Sequence, residues 1–180
     1  VALMVLAGLA NKRMVAHVLA AGAQAVGLSG VDGRLLEVRR LNDTLGFVGK
    51  PVAVNAALLR SLFAQGIVPV INPMSIGLAA AGDSEIYNVN ADHAAGAIAA
   101  ALDATLLTFV TNVPGVLNGD KTLIPTLSAP EAEALIASGV ISGGMIPKVR
   151  TCLEALQAGV KQVRITNLDG LAAGGGTIFH

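Results

Sequence analysis

"NAALLRSLFAQGIVPVINP", residues 55–73, decides the fold. Asn55 carries a side-chain oxygen of the kind that caps a helix start, and it stands directly before "AALLRSLFAQG". The stretch that follows, "IVPVINP", is a compact strand that is apolar nearly throughout. A helix running straight into such a strand is the repeating unit of a sheet buried on both faces.

The same alternation extends outward in both directions. Residues 3–20 predict a helix that gathers Leu3, Leu6, Val15, Val18 and Leu19 on one face and stops at Gly22. "AQAVGLSG", residues 23–30, reads as a buried strand entering a glycine-flanked turn, and residues 35–40 and 47–54 as two strands paired in an excursion from the main sheet. Further on come a helix from about Asn90 to Leu102, a strand in "TLLTFVTNV", a capping box at Ser128–Glu131, a helix to Ser138 and a Gly-Gly turn. A helix from Met145 to Gln157 and the strand "KQVRIT" complete the series. Strands without polar alternation, interleaved with amphipathic helices, place the chain in the α/β class with a mostly parallel sheet. A boundary between two lobes is expected near Asp103.

Composition excludes several functions. Of 180 residues 53% are hydrophobic, enough for a sizeable core, and 12 basic residues balance 12 acidic ones without a basic stripe for nucleic acid. Mean hydropathy is +0.67, yet Gly, Asn, Asp or Pro interrupts every apolar stretch before the roughly 18 residues of a spanning helix. Cys152 stands alone and cannot form an internal disulfide; with no signal-peptide pattern, a cytoplasmic location is expected.

Familiar catalytic signatures are missing. Neither G-x-x-x-x-G-K-[ST] nor G-x-G-x-x-G occurs, and "GLSGV" at 27–31 misses the nucleophile elbow because its second glycine comes one place early, leaving Ser29 as a turn residue. His17, His93 and His180 are scattered, so no zinc cluster and no histidine dyad is expected. Three polar islands remain on the apolar background: Asn88, Asn90 and Asp92; "TNVPGVLNGDKT" at 111–122; and "ISGGMIPK" at 141–148. All fall at element ends, where α/β proteins place ligands.

Each island has a plain structural reading beside a functional one, and the residues alone leave both open. Asn88 and Asp92 are four apart and share a side if the backbone is already helical, but a helix start by itself favours Asn and Asp. "TNVPGVL" is either a turn or a backbone cradle for a base and ribose. Lys148 sits in the first turn of a helix, where the dipole disfavours a cation unless an anion is near, so it is either a solvated lysine or an anion partner.

Taken in order, "MVLAGLANKRMVA", "GLSGVDG", "LGFVGKPVAVN", "PVINP", "YNVNADHAAGAIAAAL", "TNVPGVL" and "ISGGMIPKV" resemble the amino acid kinase family, and within it the acetylglutamate kinase branch. The resemblance implies a carbamate-kinase-like three-layer αβα sandwich. It implies residues 1–102 as the remainder of an N-terminal acceptor-binding and dimerisation lobe and 103–180 as a C-terminal nucleotide-binding lobe. The implied reaction transfers the γ-phosphoryl of ATP, with Mg²⁺, to the side-chain carboxylate of N-acetyl-L-glutamate in arginine biosynthesis. Asn88 would bind the acceptor, Asp92 would orient the catalytic lysines, and Lys148 would stabilise the phosphoryl in flight. Asn112, Val113, Pro114, Gly115, Val116 and Leu117, with Val140, Ile141 and Ser142, would line the ATP site. A homodimer is implied as well.

Departures accompany the likeness. The family's first strand with its lysine and paired glycines, its later glycine-rich loop and its substrate-gripping arginine are absent, so an N-terminal part is expected to be missing. The 180 residues alone are expected to have little or no kinase activity, and a longer protein that retains them to be an active kinase. Asn112 stands where many relatives carry Asp, and "ITNLDGLAAGGGTIF" lacks most of the helix that usually separates the last strands. The competing functions are a kinase for an aminoadipate derivative in lysine biosynthesis and a non-catalytic module that senses an amino acid or nucleotide.

Overall fold

A computed structural model describes all residues, Val1–His180, and divides them into two compact units, Val1–Leu102 and Asp103–His180. Both are α/β. Four of the seven strand pairings in the chain are parallel. No helix is long and apolar enough to cross a membrane.

The first unit opens with a π-helical segment, Met4–Ala10, that continues into α1, Asn11–Ala20. Strand β1 (Gln24–Ser29) pairs in parallel with β4 (Ile67–Asn72). Between them lie β2 (Leu36–Arg40), β3 (Gly49–Val54) and α2 (Ala56–Ala64), and Asn55 caps α2 by accepting from Leu58 N at 3.2 Å. The excursion is real: β2 and β3 pair antiparallel, with a register shift at Glu37/Val38. Two short strands escaped the sequence reading, β5 (Met74–Gly77) and β6 (Ile86–Asn88), and they complete a sheet ordered β3-β2-β5-β6.

Helix α3, Ala91–Ala101, follows β6 and closes this sheet's core. Its small residues let it approach closely: Ala94, Gly96 and Ala99 are buried, and Ala94 joins Leu36, Val38, Tyr87 and Val89 in one cluster with Val54 and Ala97 at its edge. Burying each Leu or Val fully contributes roughly 1.5–3 kcal/mol.

The second unit holds a four-stranded sheet ordered β7-β9-β10-β8, made of β7 (Leu107–Val110), β8 (Thr126–Leu127), β9 (Val163–Thr166) and β10 (Thr177–Phe179). Register aligns Leu107, Val163, Phe179 and Leu127 in one row across the sheet. Val163, Leu127 and Phe179 are buried, as are Val149, Cys152, Leu153 and Ala155 of helix α5 (Met145–Gln157). Helix α4 (Ala129–Ala137) starts on the capping box: Ser128 Oγ accepts from Glu131 N, and the Glu131 carboxylate accepts from Ser128 N. The segment before β10 shrinks to α6 (Leu168–Ala173), and β10 runs antiparallel to β9.

Candidate active site

In the first unit the candidate residues lie at the junction of β6 and α3. The helix begins only at Ala91, so Asn88 belongs to the end of a strand, and the i,i+4 helical geometry considered for Asn88 and Asp92 does not apply. Capping falls to Asn90, whose Oδ1 accepts from Asp92 N at 2.8 Å and His93 N at 3.3 Å. Asn88 is thereby left without a capping duty. Its backbone N–H donates to Phe47 O at 2.9 Å, its Cα partner across β5 is Met74, and its side chain is exposed. Asp92 is exposed in the first helical turn, where the dipole favours a carboxylate.

The strand that carries Asn88 is held on its other face by Tyr87. This buried phenol donates to Asp83 Oδ2 at 2.8 Å and packs its ring 5.9 Å from that of Phe47. The backbone N–H of Glu85, then the Tyr87 hydroxyl, hold the Asp83 carboxyl below its ordinary range, and hydrogen bonding to Asp83 raises the Tyr87 phenol.

A second support is made of amides. Asn72, at the end of β4, donates from Nδ2 to Leu28 O at 2.9 Å and accepts at Oδ1 from Met74 N at 3.1 Å. Asn11 donates to Val70 O at 2.8 Å. Both asparagines are buried, at the C-terminal end of the parallel β1–β4 pair. Sequence reasoning passed over them: Asn72 ends a strand, where an asparagine reads as a turn residue, and Asn11 lies within the helix read over residues 3–20.

In the second unit, residues 112–117 follow β7 directly. Thr111 anchors the start: its N–H donates to Thr166 O at 2.7 Å, and its hydroxyl accepts from Val113 N at 3.1 Å. Asn112, Pro114 and Leu117 are exposed, whereas Gly115 and Val116 are buried. Gly115 has φ +149°, and a Cβ there would lie 2.6 Å from Thr177 Oγ1. The side chains of Val116 and Ile141 are core, with 1% and 2% exposure, so those two residues have only backbone groups to offer a ligand.

Val140, Ile141 and Ser142 run from α4 toward α5. Ile141 N–H donates to Leu135 O at 3.0 Å, while Val140 and Ser142 are exposed. Gly143, at φ +53°, and Gly144 then turn the chain into α5, whose start has no side-chain cap. Lys148 stands in that first turn, half-buried and without a hydrogen bond or salt bridge, whereas Arg150 pairs with Glu133 at 3.2 Å. At this helix start Met145 N–H donates to Ser142 O at 3.2 Å and Ile146 N–H to Gly143 O at 3.3 Å, and Pro147 has no N–H. The backbone donors left for an anion are therefore those of Gly143 and Gly144, to which the unpaired ammonium adds full charge. No three His, Cys, Asp or Glu side chains converge, which does not fit a resident metal centre.

Comparison with known proteins bears on the family and the fold. The profile of the Amino acid kinase family matches residues 1–167. The acetylglutamate kinase of Roseiflexus castenholzii is 51% identical over 180 residues, an overlap of 98% of this chain and 67% of that protein. Among solved structures, smu.665 from Streptococcus mutans superposes with a TM-score of 0.82 at 28% identity, over 98% of this chain and 69% of that one. A Giardia carbamate kinase superposes with a TM-score of 0.69 at 19% identity, with the same coverage, and shows the shared fold. The curated relatives are longer proteins: the chain spans 55% of one and 76% of another.

Proposed function

The chain belongs to the amino acid kinase family, and from that premise we propose that the protein is an acetylglutamate kinase. It transfers the γ-phosphoryl of ATP to the side-chain carboxylate of N-acetyl-L-glutamate, a cytoplasmic step of arginine biosynthesis. The observation that carries the reading within the chain is Lys148, a half-buried ammonium with no partner at an uncapped helix start. Partial burial of an unpaired charge is costly, and an arriving phosphoryl removes that cost.

The chemistry needs few protein groups. The acceptor is a carboxylic acid of ordinary pKa about 4.3, already ionised at neutral pH, so no general base has to take a proton. What remains is to align acceptor and donor and to neutralise charge on a phosphoryl group passing through a loose transition state. In this reading Lys148 and the backbone N–H groups at the Gly143–Gly144 turn face that charge. Asp92 orients the cations, and the free amide of Asn88 holds the acceptor. Asn112 to Leu117 and Val140 to Ser142 hold the nucleotide, with Val116 and Ile141 contributing through the backbone. Mg²⁺ enters as part of the substrate MgATP, bound by phosphate oxygens. The exposed apolar side of the opening helix supports a homodimer.

The test is Lys148→Ala in the complete protein, with ADP formation and melting temperature measured together. The expected result is a loss of turnover on the order of a hundredfold or more with an unchanged melting temperature. Unchanged turnover would return Lys148 to the role of a solvated surface residue. Supplying N-acetyl-L-glutamate and an aminoadipate derivative in parallel assigns the acceptor.

A further inference from the structure

Thr177 lies 61 residues along the chain from Val116, to which it is hydrogen-bonded, and is completely buried. Its hydroxyl accepts from Val116 N at 2.8 Å and donates to Ile124 O at 2.6 Å. Ile124 N donates back to Val116 O at 2.9 Å, so residues 116, 124 and 177 close a ring of three hydrogen bonds. The backbone passes so near that a Cβ on Gly115 would meet both Thr177 Oγ1, at 2.6 Å, and Thr177 N, at 3.0 Å. The hydroxyl occupies the space that a side chain at 115 would need.

We propose that Thr177 is a positioning residue for the nucleotide: its hydroxyl sets the path of the loop Asn112–Leu117 before ATP arrives. The inference rests on assigning that loop to the ATP site. One hydroxyl supplies a donor and an acceptor together, so it satisfies the buried N–H of Val116 and the part-buried carbonyl of Ile124 at once. The strand carrying it is itself fixed on both sides, to β9 by Thr177 opposite Ile165 and to β8 by Ile178 opposite Thr126. β7, from which the loop departs, pairs with β9 in turn. The loop therefore hangs between two strands of one sheet, clamped at its entrance by Thr111 and at its exit by Thr177. Clamping both ends lowers the ordering cost that binding would otherwise carry.

The experiment compares wild type, Thr177→Val and Thr177→Ser in the complete protein. A nonhydrolysable ATP analogue is titrated by calorimetry, and KM is measured for ATP and for N-acetyl-L-glutamate. Valine keeps the shape and deletes both hydrogen bonds, so analogue binding should weaken about tenfold and KM for ATP rise with it, while KM for the acceptor stays within about twofold. Serine restores the hydroxyl and should restore nucleotide affinity. If the valine variant does not fold, Thr177→Cys, which weakens both bonds at similar size, should show the same selective rise at about threefold. Equal effects on both KM values, unchanged analogue binding, or a serine variant no better than valine would overturn the proposal. A wild type that fails to bind the analogue at all would instead overturn the nucleotide-site reading on which it stands.

Discussion

The opening helix and α5 both carry an apolar stripe, yet they are held in opposite ways. Helix α5 buries Val149, Cys152, Leu153 and Ala155. The opening helix buries a single residue, and that residue is polar: Asn11, whose amide reaches the β4 carbonyl of Val70. Leu6, Val15 and Val18 are only half-buried, and other apolar residues point outward, with Met4 at 76%, Leu9 at 52% and Met14 at 55% exposure. Helical periodicity thus shows that a segment has an apolar side and does not say what covers it. In α5 the sheet of its own unit does so; in the opening helix β1 and β4 cover the stripe only in part, and Met4, Leu9 and Met14 stay exposed.

The difference predicts a graded response to substitution. The largest effect belongs to Val149→Asp, which places a carboxylate at a fully buried position; a cost above about 4 kcal/mol is expected, with loss of folded signal by circular dichroism. Gly27→Ala comes next, because the new methyl would overlap the Oδ1 of Asn11. Overpacking of this kind costs about 1–3 kcal/mol, read from the urea midpoint, and an unchanged midpoint would mean that Asn11 is not what docks the opening helix.

Ser128→Ala removes the cap of α4, the helix tied to α5 through Arg150 and Glu133. It should cost about 1 kcal/mol and lower the melting temperature by a few degrees. Leu9→Lys combined with Met14→Lys should change stability by less than about 0.5 kcal/mol. The same pair should convert the proposed dimer to a monomer in sedimentation, and an unaltered dimer would place the interface elsewhere.

The smallest effect is on acid sensitivity. The Ser128 hydroxyl, and after it the Ser128 backbone N–H, hold the Glu131 carboxyl below its ordinary range. A carboxyl lowered on folding stabilises at neutral pH, and its contribution is lost as pH falls through the lowered value. Ser128→Ala should therefore flatten the acid limb of the melting-temperature profile as well as lower its plateau.

These particulars also show what could be read from residue order alone. Asn55 and the Ser128–Glu131 box were legible because capping is local chemistry, decided within four residues. Helix α5 was legible from Met145 to Gln157 because glycines mark its start. Strands β5 and β6 were not: with four and three residues they are too short to show a period, and only pairing with β2 and with each other makes them strands. That omission left open whether Asn88 shares a helical side with Asp92. The supports of the candidate site were hidden for a related reason. Asn11, Asn72 and Thr177 act across 59, 44 and 61 residues of chain, and no local pattern announces a side chain whose partner is so distant.

Gly115 bears on how this loop can diverge. Its left-handed backbone and its contact with Thr177 leave no room for a side chain, while Asn112 and Pro114 before it and Leu117 after it stand in solvent. Drift among descendants can rewrite the exposed lettering of the loop, including an amide in place of a carboxylate at 112, without bending its course. Altering the course itself would take coordinated change at both ends of the second unit, a far rarer event than any single replacement.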